Sequence, residues 1–468
     1  MADAFDLIVI GAGTGGYSAA LRAAQLGRRV ALVERDDRLG GTCLLRGCIP
    51  TKALLQSAAV VDTVNRAAEW GVKASGEPDW TAVKEFQDGI VAKNVKGLTG
   101  LVRQRGIEVV RGAARLLAGP RVEVQGAGET NAKVGRTLEA ADVILATGSR
   151  PKLFPGLEPT GRVITSDEAL WYDRIPSSAV VIGAGAVGLE FASMYRSFGA
   201  DVTVVEALAN LAPLEDDDVS TEVARAYRKR GIATAAGASV DEVKDTGDAV
   251  DVTYHVDGTS ETVSADVCLV AVGRGPVTDG LGLEEAGVAL HEKGFVEVDV
   301  QLRTTLEHVW AVGDVAATPL QLAHVAFTEG YAVAERIAGI DVPDIDYANI
   351  PRVTYCSPEI ASVGLTEAQA RENGRDIVVE KLDLRGVGKA NIVGEGGFVK
   401  VVAETHGPVL GVHMIGPHVT DLIAEAMLIT SWEATPEDVA ALIHPHPTLS
   451  EGVGEAMLAL AGKPLHSA

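Results

Sequence analysis

Two cysteines with reactive spacing, Cys43 and Cys48, lie in the segment GGTCLLRGCIPTK (40–52). A glycine between them and Pro50 after them predict an irregular turn that leads into a helix, because the first helical turn accepts proline. Across such a turn the two sulfur atoms can meet and form a disulfide. The nearby helix N-terminus would favour a thiolate and therefore fast thiol–disulfide exchange. The alternative interpretation is a buried, inert pair of cysteines.

A histidine and a glutamate offer the acid–base chemistry that thiol exchange needs. His446 and Glu451 lie five positions apart in the segment HPTLSE. A thiol must lose its proton before it attacks a disulfide, and imidazole titrates in the right pH range to take it. The carboxylate can fix the tautomer of the imidazole and stabilise its charged form. His444 is the alternative base in this segment.

Two glycine-rich turns, GAGTGG (11–16) and GAGAVG (183–188), each follow an apolar strand and begin an apolar helix. In such turns the first glycine permits the tight bend, the second lets a pyrophosphate approach and the third lets helix and strand pack closely. The helix N-terminus then faces the phosphates. The next strand ends in an acid that would bind a ribose. The number of residues from the first glycine to this acid is the same in both copies. The candidate residues are Gly11, Gly13, Gly16 and Glu34 in the first unit, and Gly183, Gly185, Gly188 and Glu206 in the second.

The acid of the second unit also predicts which nicotinamide nucleotide binds there. A carboxylate at Glu206 would repel the 2′-phosphate of NADP, for which such sites usually provide arginine. The next cation along the chain is Arg225. The second unit is therefore predicted to prefer NAD.

The positioning elements predict an α/β fold with two Rossmann-like dinucleotide-binding domains and a C-terminal α+β domain. Alternation of apolar and polar residues predicts antiparallel hairpins, and prolines and glycines predict a linker between the two units. The C-terminal domain is expected to contain two strands, a helix after them and a final helix after Ser450. The ranges are 121–140 and 250–264 for the hairpins, 151–159 for the linker, 398–402 and 409–414 for the strands and 421–432 for the helix.

Composition excludes several classes of partner. The chain has 468 residues and a formal net charge of −23, which makes nucleic acid and anionic membrane surfaces poor partners and would suit a basic protein. We expect a cytoplasmic protein, since no apolar run is long enough for a membrane span and no targeting segment precedes the first strand. The four cysteines have neither zinc-site spacing nor the pattern of a structural disulfide framework, so no metal site is predicted.

Seven motifs in one order resemble the FAD-dependent pyridine nucleotide–disulfide oxidoreductases, most closely the dihydrolipoyl dehydrogenases among them. The motifs are GGTC and GCIPTKALL within 40–55, ATGSRP (146–151), GAGAVGLE (183–190), AVGR (271–274), AVGDV (311–315), LAH (322–324) and HPTLSE (446–451). The resemblance implies FAD in the first unit and NAD in the second. It also implies that Cys48 faces the flavin as a thiolate, while Cys43 exchanges with the substrate.

The resemblance also assigns the residues around the two cofactors. Glu34 would bind the adenosine ribose of FAD and Asp314 its ribitol, and Lys52 would lie near the flavin and pair with Glu190. Further FAD-binding residues would be Thr42, Thr147, Gly148 and Ala323, and Glu190 and Gly273 would join the NAD site. The implied domains are 1–150 for FAD, 151–272 for NAD, 273–343 as a central domain that completes the FAD site and 344–468 for dimerisation.

The activity implied is oxidation of dihydrolipoamide to lipoamide with reduction of NAD+, as the E3 component of a 2-oxo acid dehydrogenase complex. The implied partners are the lipoyl domain and a basic subunit-binding domain of that complex, and a second copy of the chain. In this homodimer His446 and Glu451 would complete the site of the other subunit, with a cis peptide bond before Pro447.

Two other functions stay open. One is an NAD(P)H-dependent reductase of a low-molecular-weight disulfide of the glutathione or mycothione type, against which Glu206 argues. The other is a non-catalytic flavoprotein, for which the cysteine pair and His446 would be unnecessary. Arg46 departs from the family pattern and would place a guanidinium near the redox centre. Cys268 and Cys356 are expected to be inert.

Overall fold

The computed structural model describes residues 3–126 and 135–466. Its strands, in chain order, are β1 (Asp3–Ile10), β2 (Val30–Glu34), β3 (Glu108–Arg111), β4 (Ala113–Leu116), β5 (Arg121–Gln125), β6 (Arg136–Leu145), β7 (Ser149–Pro151), β8 (Val163–Ile164), β9 (Ser178–Ile182), β10 (Asp201–Glu206), β11 (Ala233–Ala236), β12 (Ser239–Asp245), β13 (Val250–Val256), β14 (Thr259–Ala265), β15 (Val267–Val270), β16 (Arg274–Pro276), β17 (Val309–Ala311), β18 (Arg352–Thr354), β19 (Glu359–Gly364), β20 (Ile377–Asp383), β21 (Phe398–Glu404) and β22 (Val409–Gly416). The α-helices are α1 (Thr14–Gln25), α2 (Gly41–Arg46), α3 (Cys48–Arg66), α4 (Trp80–Gln104), α5 (Ser166–Ala169), α6 (Ala186–Ser197), α7 (Asp217–Lys229), α8 (Leu283–Ala286), α9 (Ala323–Ile337), α10 (Glu367–Glu372), α11 (Gly388–Val393), α12 (Val419–Ser431), α13 (Pro436–Ala440) and α14 (Glu451–Leu460). Short 3-10 helices cover Ala67–Trp70, Gly313–Val315, Tyr347–Asn349 and Leu384–Gly386.

The chain forms two compact units, each made of several chain segments. Unit 1 comprises the described parts of residues 1–53, 81–152 and 274–347. Unit 2 comprises residues 54–80 and 153–273 and the described part of 348–468. The four domain boundaries drawn from the sequence remain predictions.

Unit 1 is built on a sheet in the order β3-β2-β1-β6-β5-β4, with β17 added beside β6. β1 runs parallel to both β2 and β6, and Leu7 lies opposite Val30. One face packs apolar side chains of β1, β5 and β6 against those of the segment from α8 to β17, and the other face packs against α1 and α9. This confirms the first predicted strand–helix–strand unit, in which the end of β1 presents the glycine-rich turn.

Unit 2 contains three sheets. The parallel sheet has the order β11-β10-β9-β15-β8, so β9, α6 and β10 form the second predicted strand–helix–strand unit. The strands β12, β13 and β14 form an antiparallel sheet beside it. The antiparallel sheet β18-β19-β22-β21-β20 packs against α12 and α14 and makes the predicted C-terminal α+β domain. The α/β class with two nucleotide-binding folds is therefore confirmed.

The predicted hairpins and C-terminal elements are present within a few residues of their expected bounds. β13 and β14 pair in antiparallel register, as do β5 and β6, although residues 127–134 of the predicted hairpin 121–140 lie outside the described residues. The predicted helix 421–432 runs from Val419 to Ser431. The predicted linker begins at Pro151, which still belongs to β7 and pairs with β16. Within residues 3–126 and 135–466, every helix is too short or too polar to cross a membrane.

A buried lysine in unit 2 ties the C-terminal sheet to α7 and α10. The side chain of Lys400 on β21 is 3% exposed, and its Nζ lies 2.8 Å from Asp216, 2.6 Å from Asp218 and 2.8 Å from Glu367. Burial lowers the pKa of Lys400, but the hydrogen bonds to the three carboxylates outweigh burial and raise it. At Asp216 and Asp218 burial raises the pKa, but hydrogen bonds, including those to Lys400, outweigh burial and lower it. At Glu367 the hydrogen bond to Lys400 is the main cause of a lowered pKa. The four groups form one mutually dependent charge cluster.

Replacing Lys400 with methionine is expected to destabilise the protein by about 3–5 kcal/mol at pH 7, since it leaves buried carboxylates without a counter-ion. Groups with lowered pKa values stabilise the fold above their unfolded pKa values, and this contribution is lost as pH falls through the folded values. The difference between wild type and variant should therefore shrink between pH 7 and pH 3, measured as the shift in melting temperature. The control is Lys381→Met, which removes an exposed partner of Asp218 and should cost only about 0–1 kcal/mol. A difference that is constant with pH would contradict the interpretation.

Candidate active site

The first glycine turn is shaped by contacts that leave no room for two side chains. Gly11 has φ +101°. A Cβ on Gly11 would lie 2.3 Å from the carbonyl oxygen of Ala146, and one on Gly16 would lie 1.8 Å from that of Gly11. A Cβ on Gly13 would meet only the Cα of Gly41, at an ordinary 3.9 Å. Packing within the protein therefore explains the first and third glycines but not the second.

The second turn repeats this pattern in unit 2. Gly183 has φ +102°, and its Cβ would lie 2.4 Å from the carbonyl oxygen of Ala271. A Cβ on Gly188 would lie 1.9 Å from the carbonyl oxygen of Gly183, whereas one on Gly185 would meet no described atom within 4 Å. Close approach of a pyrophosphate is the reason that remains for the middle glycine. Both turns therefore fit the dinucleotides predicted for them.

The helices that follow the two turns begin without a side-chain cap. Among the described residues, no side chain caps the N-terminus of α1 at Gly13 or of α6 at Gly185. Asp216, Thr366 and Thr435 cap the helices α7, α10 and α13 with their own side-chain oxygens, whereas α9, α12 and α14 also begin without a side-chain cap in the described part of the chain. The first N–H groups of a helix need an acceptor, and phosphate oxygens can supply it. The uncapped N-termini are a second feature that fits two bound dinucleotides.

The acids at the ends of β2 and β10, Glu34 and Glu206, are buried and hold their own turns together. In each acid, one carboxylate oxygen accepts a hydrogen bond from the backbone N–H of the residue after the first glycine. The other oxygen accepts one from the backbone N–H of the residue two positions after the acid itself. The donors and distances are Ala12 at 2.7 Å and Asp36 at 2.8 Å for Glu34, and Ala184 at 2.6 Å and Leu208 at 2.8 Å for Glu206. Each oxygen keeps acceptor capacity for a ribose hydroxyl. Both acids therefore shape the turn as well as presenting a carboxylate.

The two cysteines meet across the turn between α2 and α3 in unit 1. Cys43 lies within α2, Cys48 is the first residue of α3, and Gly47 between the helices has φ −152° and ψ −116°. The side chains of Cys43 and Cys48 are hydrogen-bonded, and this bond, burial and the charge of Cys48 raise the pKa of the Cys43 thiol, while Lys52 lowers it. The pair therefore favours a proton on Cys43, beside Cys48 at the N-terminus of α3.

A chain of hydrogen bonds in unit 1 ends on Asp314. The hydroxyl of Ser149 donates to Oδ2 of Asp314 at 2.5 Å, and Nε of Arg274 donates to the Ser149 hydroxyl at 2.7 Å. Sequence reasoning did not single out Ser149 or Arg274, although both lie in motifs that carried the family resemblance. Thr147 donates its hydroxyl proton to the carbonyl oxygen of Val277 at 2.6 Å. Thr147, Ser149, Arg274 and Asp314 thus belong to one hydrogen-bonded region of unit 1.

The other predicted cofactor residues lie on the following elements. Thr42 precedes Cys43 in α2, Lys52 lies in α3, Gly148 has φ +72°, Ala323 is the first residue of α9, and Gly273, with φ +102°, follows β15. Glu190 of α6 is buried and accepts a hydrogen bond from the backbone N–H of Tyr355 at 2.9 Å. The pairing of Lys52 with Glu190 remains a prediction.

Three histidine–glutamate pairs lie among the described residues of the C-terminal domain, and the two that involve His444 and His446 differ in exposure. Nδ1 of His446 is 2.7 Å from Oε1 of Glu451, whose other oxygen accepts from the backbone N–H of Thr448 at 2.7 Å. The side chain of His446 is 77% exposed. Nε2 of His444 is 2.6 Å from Glu425, and the His444 side chain is only 13% exposed. Of His444 and His446, it is therefore His446 that is presented to solvent, and the peptide bond before Pro447 is cis, as expected.

Arg46, Cys268 and Cys356 lie in surroundings that do not favour a part in the thiol chemistry. Arg46 forms an ion pair with Asp36, so its guanidinium already has a carboxylate partner. Cys268 and Cys356 are buried, and burial raises the pKa of each thiol to about 12. These thiols stay protonated near neutral pH, which agrees with the expectation that they do not react.

Comparison with known proteins gives consistent matches along the chain. Residues 5–330 match the family model described as pyridine nucleotide-disulphide oxidoreductase, and residues 350–457 match the dimerisation domain of that family. The dihydrolipoyl dehydrogenase of Bacillus subtilis is 43% identical over all of both chains, and that of Mycobacterium leprae is 39% identical over 98% of each. The crystal structure of LpdA from Mycobacterium tuberculosis superposes with a TM-score of 0.89 at 28% identity and covers 97% of this chain and 99% of its own.

Proposed function

Because the chain belongs to the pyridine nucleotide–disulphide oxidoreductase family, we propose that it oxidises dihydrolipoamide to lipoamide and reduces NAD+, with FAD as its bound cofactor. The observation that carries the proposal is the hydrogen-bonded Cys43–Cys48 pair at the N-terminus of α3, in which the pKa of the Cys43 thiol is raised. Relatives named dihydrolipoyl dehydrogenase that match over the full length support the choice of substrate. Residues 1–150 with 273–343 would hold FAD, and 151–272 would hold NAD.

The residues of this chain perform the thiol chemistry. His446 takes the proton of one dihydrolipoamide thiol, and the resulting thiolate attacks Sγ of Cys43 in the disulfide form of the enzyme. A mixed disulfide forms, and Cys48 leaves as a thiolate. The second substrate thiol then attacks the substrate sulfur of the mixed disulfide, which releases lipoamide and leaves a proton on Cys43. Bound FAD supplies the two-electron chemistry that links the reduced cysteine pair to NAD+.

The dimerisation domain at residues 350–457 supports a homodimer. We place His446 and Glu451 in the site of the other subunit, which is consistent with the large exposed fraction of the His446 side chain in one chain. The lipoyl domain of a 2-oxo acid dehydrogenase complex would deliver the substrate. A basic subunit-binding domain of the complex would suit the net charge of −23.

Steady-state kinetics test the proposed substrate pair directly. We expect turnover with dihydrolipoamide and NAD+ to exceed turnover with glutathione disulfide or mycothione disulfide and NADPH by at least about a hundredfold, because the Glu206 carboxylate would repel the 2′-phosphate of NADPH. The reverse ranking would instead support a reductase of low-molecular-weight disulfides.

An anaerobic titration with NADH distinguishes the enzyme from a non-catalytic flavoprotein. A long-wavelength absorption band from the Cys48 thiolate beside the flavin is expected as the cysteine pair becomes reduced. Bleaching of the flavin absorption without such a band would show that the cysteine pair takes no part, and the proposed function would then fail.

Substitution of Glu206 tests the choice of nucleotide. In Glu206→Arg the ratio of kcat/KM with NADP to that with NAD should rise at least about tenfold, and the main cause should be a fall in NAD activity. The variant removes both the ribose acceptor and the acceptor of two backbone N–H groups, each worth on the order of 1–3 kcal/mol when buried. Glu206→Gln, which keeps one acceptor oxygen, should lose less NAD activity. An unchanged ratio in both variants would show that Glu206 does not select the nucleotide.

A further inference from the structure

A fully buried glutamate in unit 1 has no role in the proposed reaction. Glu329 of α9 is 0% exposed. Its Oε2 accepts a hydrogen bond from the backbone N–H of Gly313 at 2.5 Å, and its Oε1 accepts one from the hydroxyl of Tyr347 at 2.7 Å. The side chain of Thr318 forms a third hydrogen bond with the carboxyl group. Burial raises the pKa of Glu329, and these three hydrogen bonds oppose that shift.

The backbone that Glu329 holds is the segment that presents Asp314. Gly313 has φ +71° and begins the short 3-10 helix Gly313–Val315, so Glu329 fixes the residue immediately before Asp314. Asp314 is also close enough for its charge to raise the pKa of Glu329. A second carboxylate buried beside Asp314 is electrostatically unfavourable. Its position is therefore explained by the segment that it orders rather than by core packing.

The next residue of α9 fixes the same helix against the first glycine turn. A Cβ on Gly330 would lie 2.3 Å from Oγ of Ser18 and 2.4 Å from the carbonyl oxygen of Gly15, both in α1. Consecutive residues of a helix point in directions about 100° apart. Glu329 and Gly330 therefore join α9 to two segments at once, the 313–315 segment on one side and the turn that begins α1 on the other.

We propose that Glu329 is a positioning residue for FAD, which holds the 313–315 segment so that the Asp314 carboxylate is preorganised for the ribitol hydroxyls. This rests on the proposed function only in requiring FAD in the first nucleotide site. Glu329 would act indirectly, through the backbone N–H of Gly313. Its contribution is to order the segment before FAD binds, so that less ordering remains to oppose binding.

The test measures FAD binding by full-length apoprotein, together with melting temperatures with and without FAD. Glu329→Ala leaves three partly buried donors without their acceptor and should raise the Kd for FAD at least about tenfold. Glu329→Gln keeps an acceptor for the Gly313 N–H and a donor toward the Tyr347 oxygen, and should stay within about threefold of wild type. Tyr347→Phe removes one donor at a partly exposed position and should weaken binding about two- to tenfold.

Asp142→Ala is the matched control in unit 1. Asp142 accepts a hydrogen bond from Nε1 of Trp310 at 3.0 Å, on the strand that leads into the same segment. Its loss should lower the melting temperatures of apoprotein and holoprotein equally, with the Kd for FAD unchanged. For Glu329→Ala the gap between the two melting temperatures should narrow, because the stabilisation by ligand depends on its Kd.

The two possible failures are distinguishable. The inference is wrong if wild type binds FAD and both Glu329→Ala and Tyr347→Phe bind it with the wild-type Kd. It is also wrong if Glu329→Ala lowers the melting temperatures of apoprotein and holoprotein equally, because Glu329 would then be only a structural residue. If wild-type apoprotein itself binds no FAD, the proposed function fails and the inference fails with it. If Glu329→Ala does not fold, Tyr347→Phe alone decides.

Discussion

Cys43→Ser is expected to reduce dihydrolipoamide oxidation at least about ten-thousandfold, because removal of one member of a catalytic unit that acts together costs on that order or more. The serine hydroxyl cannot form a disulfide with Cys48, so the enzyme has no oxidised form that a substrate thiolate could attack. The structure shows why no other thiol can substitute. Cys268 and Cys356 are buried, with thiol pKa values raised to about 12 by burial. Turnover is measured as NADH formation from dihydrolipoamide.

The control for this variant separates loss of chemistry from loss of folding. Cys43→Ser should retain its FAD and still pass electrons from NADH to an artificial one-electron acceptor, since that reaction needs no cysteine. Cys268→Ala, which also removes one of the four cysteines, should keep dihydrolipoamide turnover within about threefold of wild type. Substantial dihydrolipoamide oxidation by Cys43→Ser would show that electrons bypass the cysteine pair and would invalidate the proposed mechanism.

The parts of the fold that the sequence predicted are those set by local sterics. At Gly11 and Gly183 the positive φ angle excludes most side chains, and at Gly16 and Gly188 a Cβ would collide with a carbonyl oxygen of the same turn. Such requirements are written into a few consecutive residues, so both strand–helix–strand units could be located from spacing. The alternation of β13 is similarly local, because its first, third and fifth residues are buried.

The parts that escaped prediction depend on residues far apart in the chain. Ser149 reaches Asp314 only because β7 pairs with β16, which also brings Arg274 to the same place. A buried glutamate such as Glu329 looks in sequence like any polar residue of an amphipathic helix. Its role depends on the distant Gly313 and Tyr347 as partners. The hydrogen bonds by which Glu206 holds its own turn also could not be read from the sequence.

His446→Gln is expected to lower kcat/KM for dihydrolipoamide by about 10²–10⁴-fold at pH 7, which is the usual contribution of a general base. Without the imidazole, the reaction depends on the small fraction of substrate thiol that ionises unaided. The residual activity should therefore rise about tenfold per pH unit as the pH approaches the pKa of the substrate thiol. Wild type should show a much flatter pH profile over this range.

The neighbouring pair provides a matched control. In His444→Gln the exposed imidazole of His446 and its partner Glu451 are retained, so dihydrolipoamide turnover should stay within about tenfold of wild type. This variant also removes a hydrogen-bonded pair, because Nε2 of His444 lies 2.6 Å from Glu425. A larger loss in His444→Gln than in His446→Gln would exchange their roles and make His444 the base.

Mixed dimers decide which subunit the base serves. A dimer of one Cys43→Ser subunit and one His446→Gln subunit contains one intact cysteine pair and one intact histidine, in different chains. If His446 acts on the cysteine pair of the other subunit, these two groups form one complete site, and the mixed dimer should recover about half of wild-type turnover although each parent dimer has at most about a hundredth of it. If His446 acts within its own chain, each of the two sites lacks one essential group, and mixing restores nothing. The large exposed fraction of the His446 side chain, together with Ile443 at 98% exposure nearby in the sequence, favours recovery, because a base that completes the site of a partner must lie on the surface of its own chain.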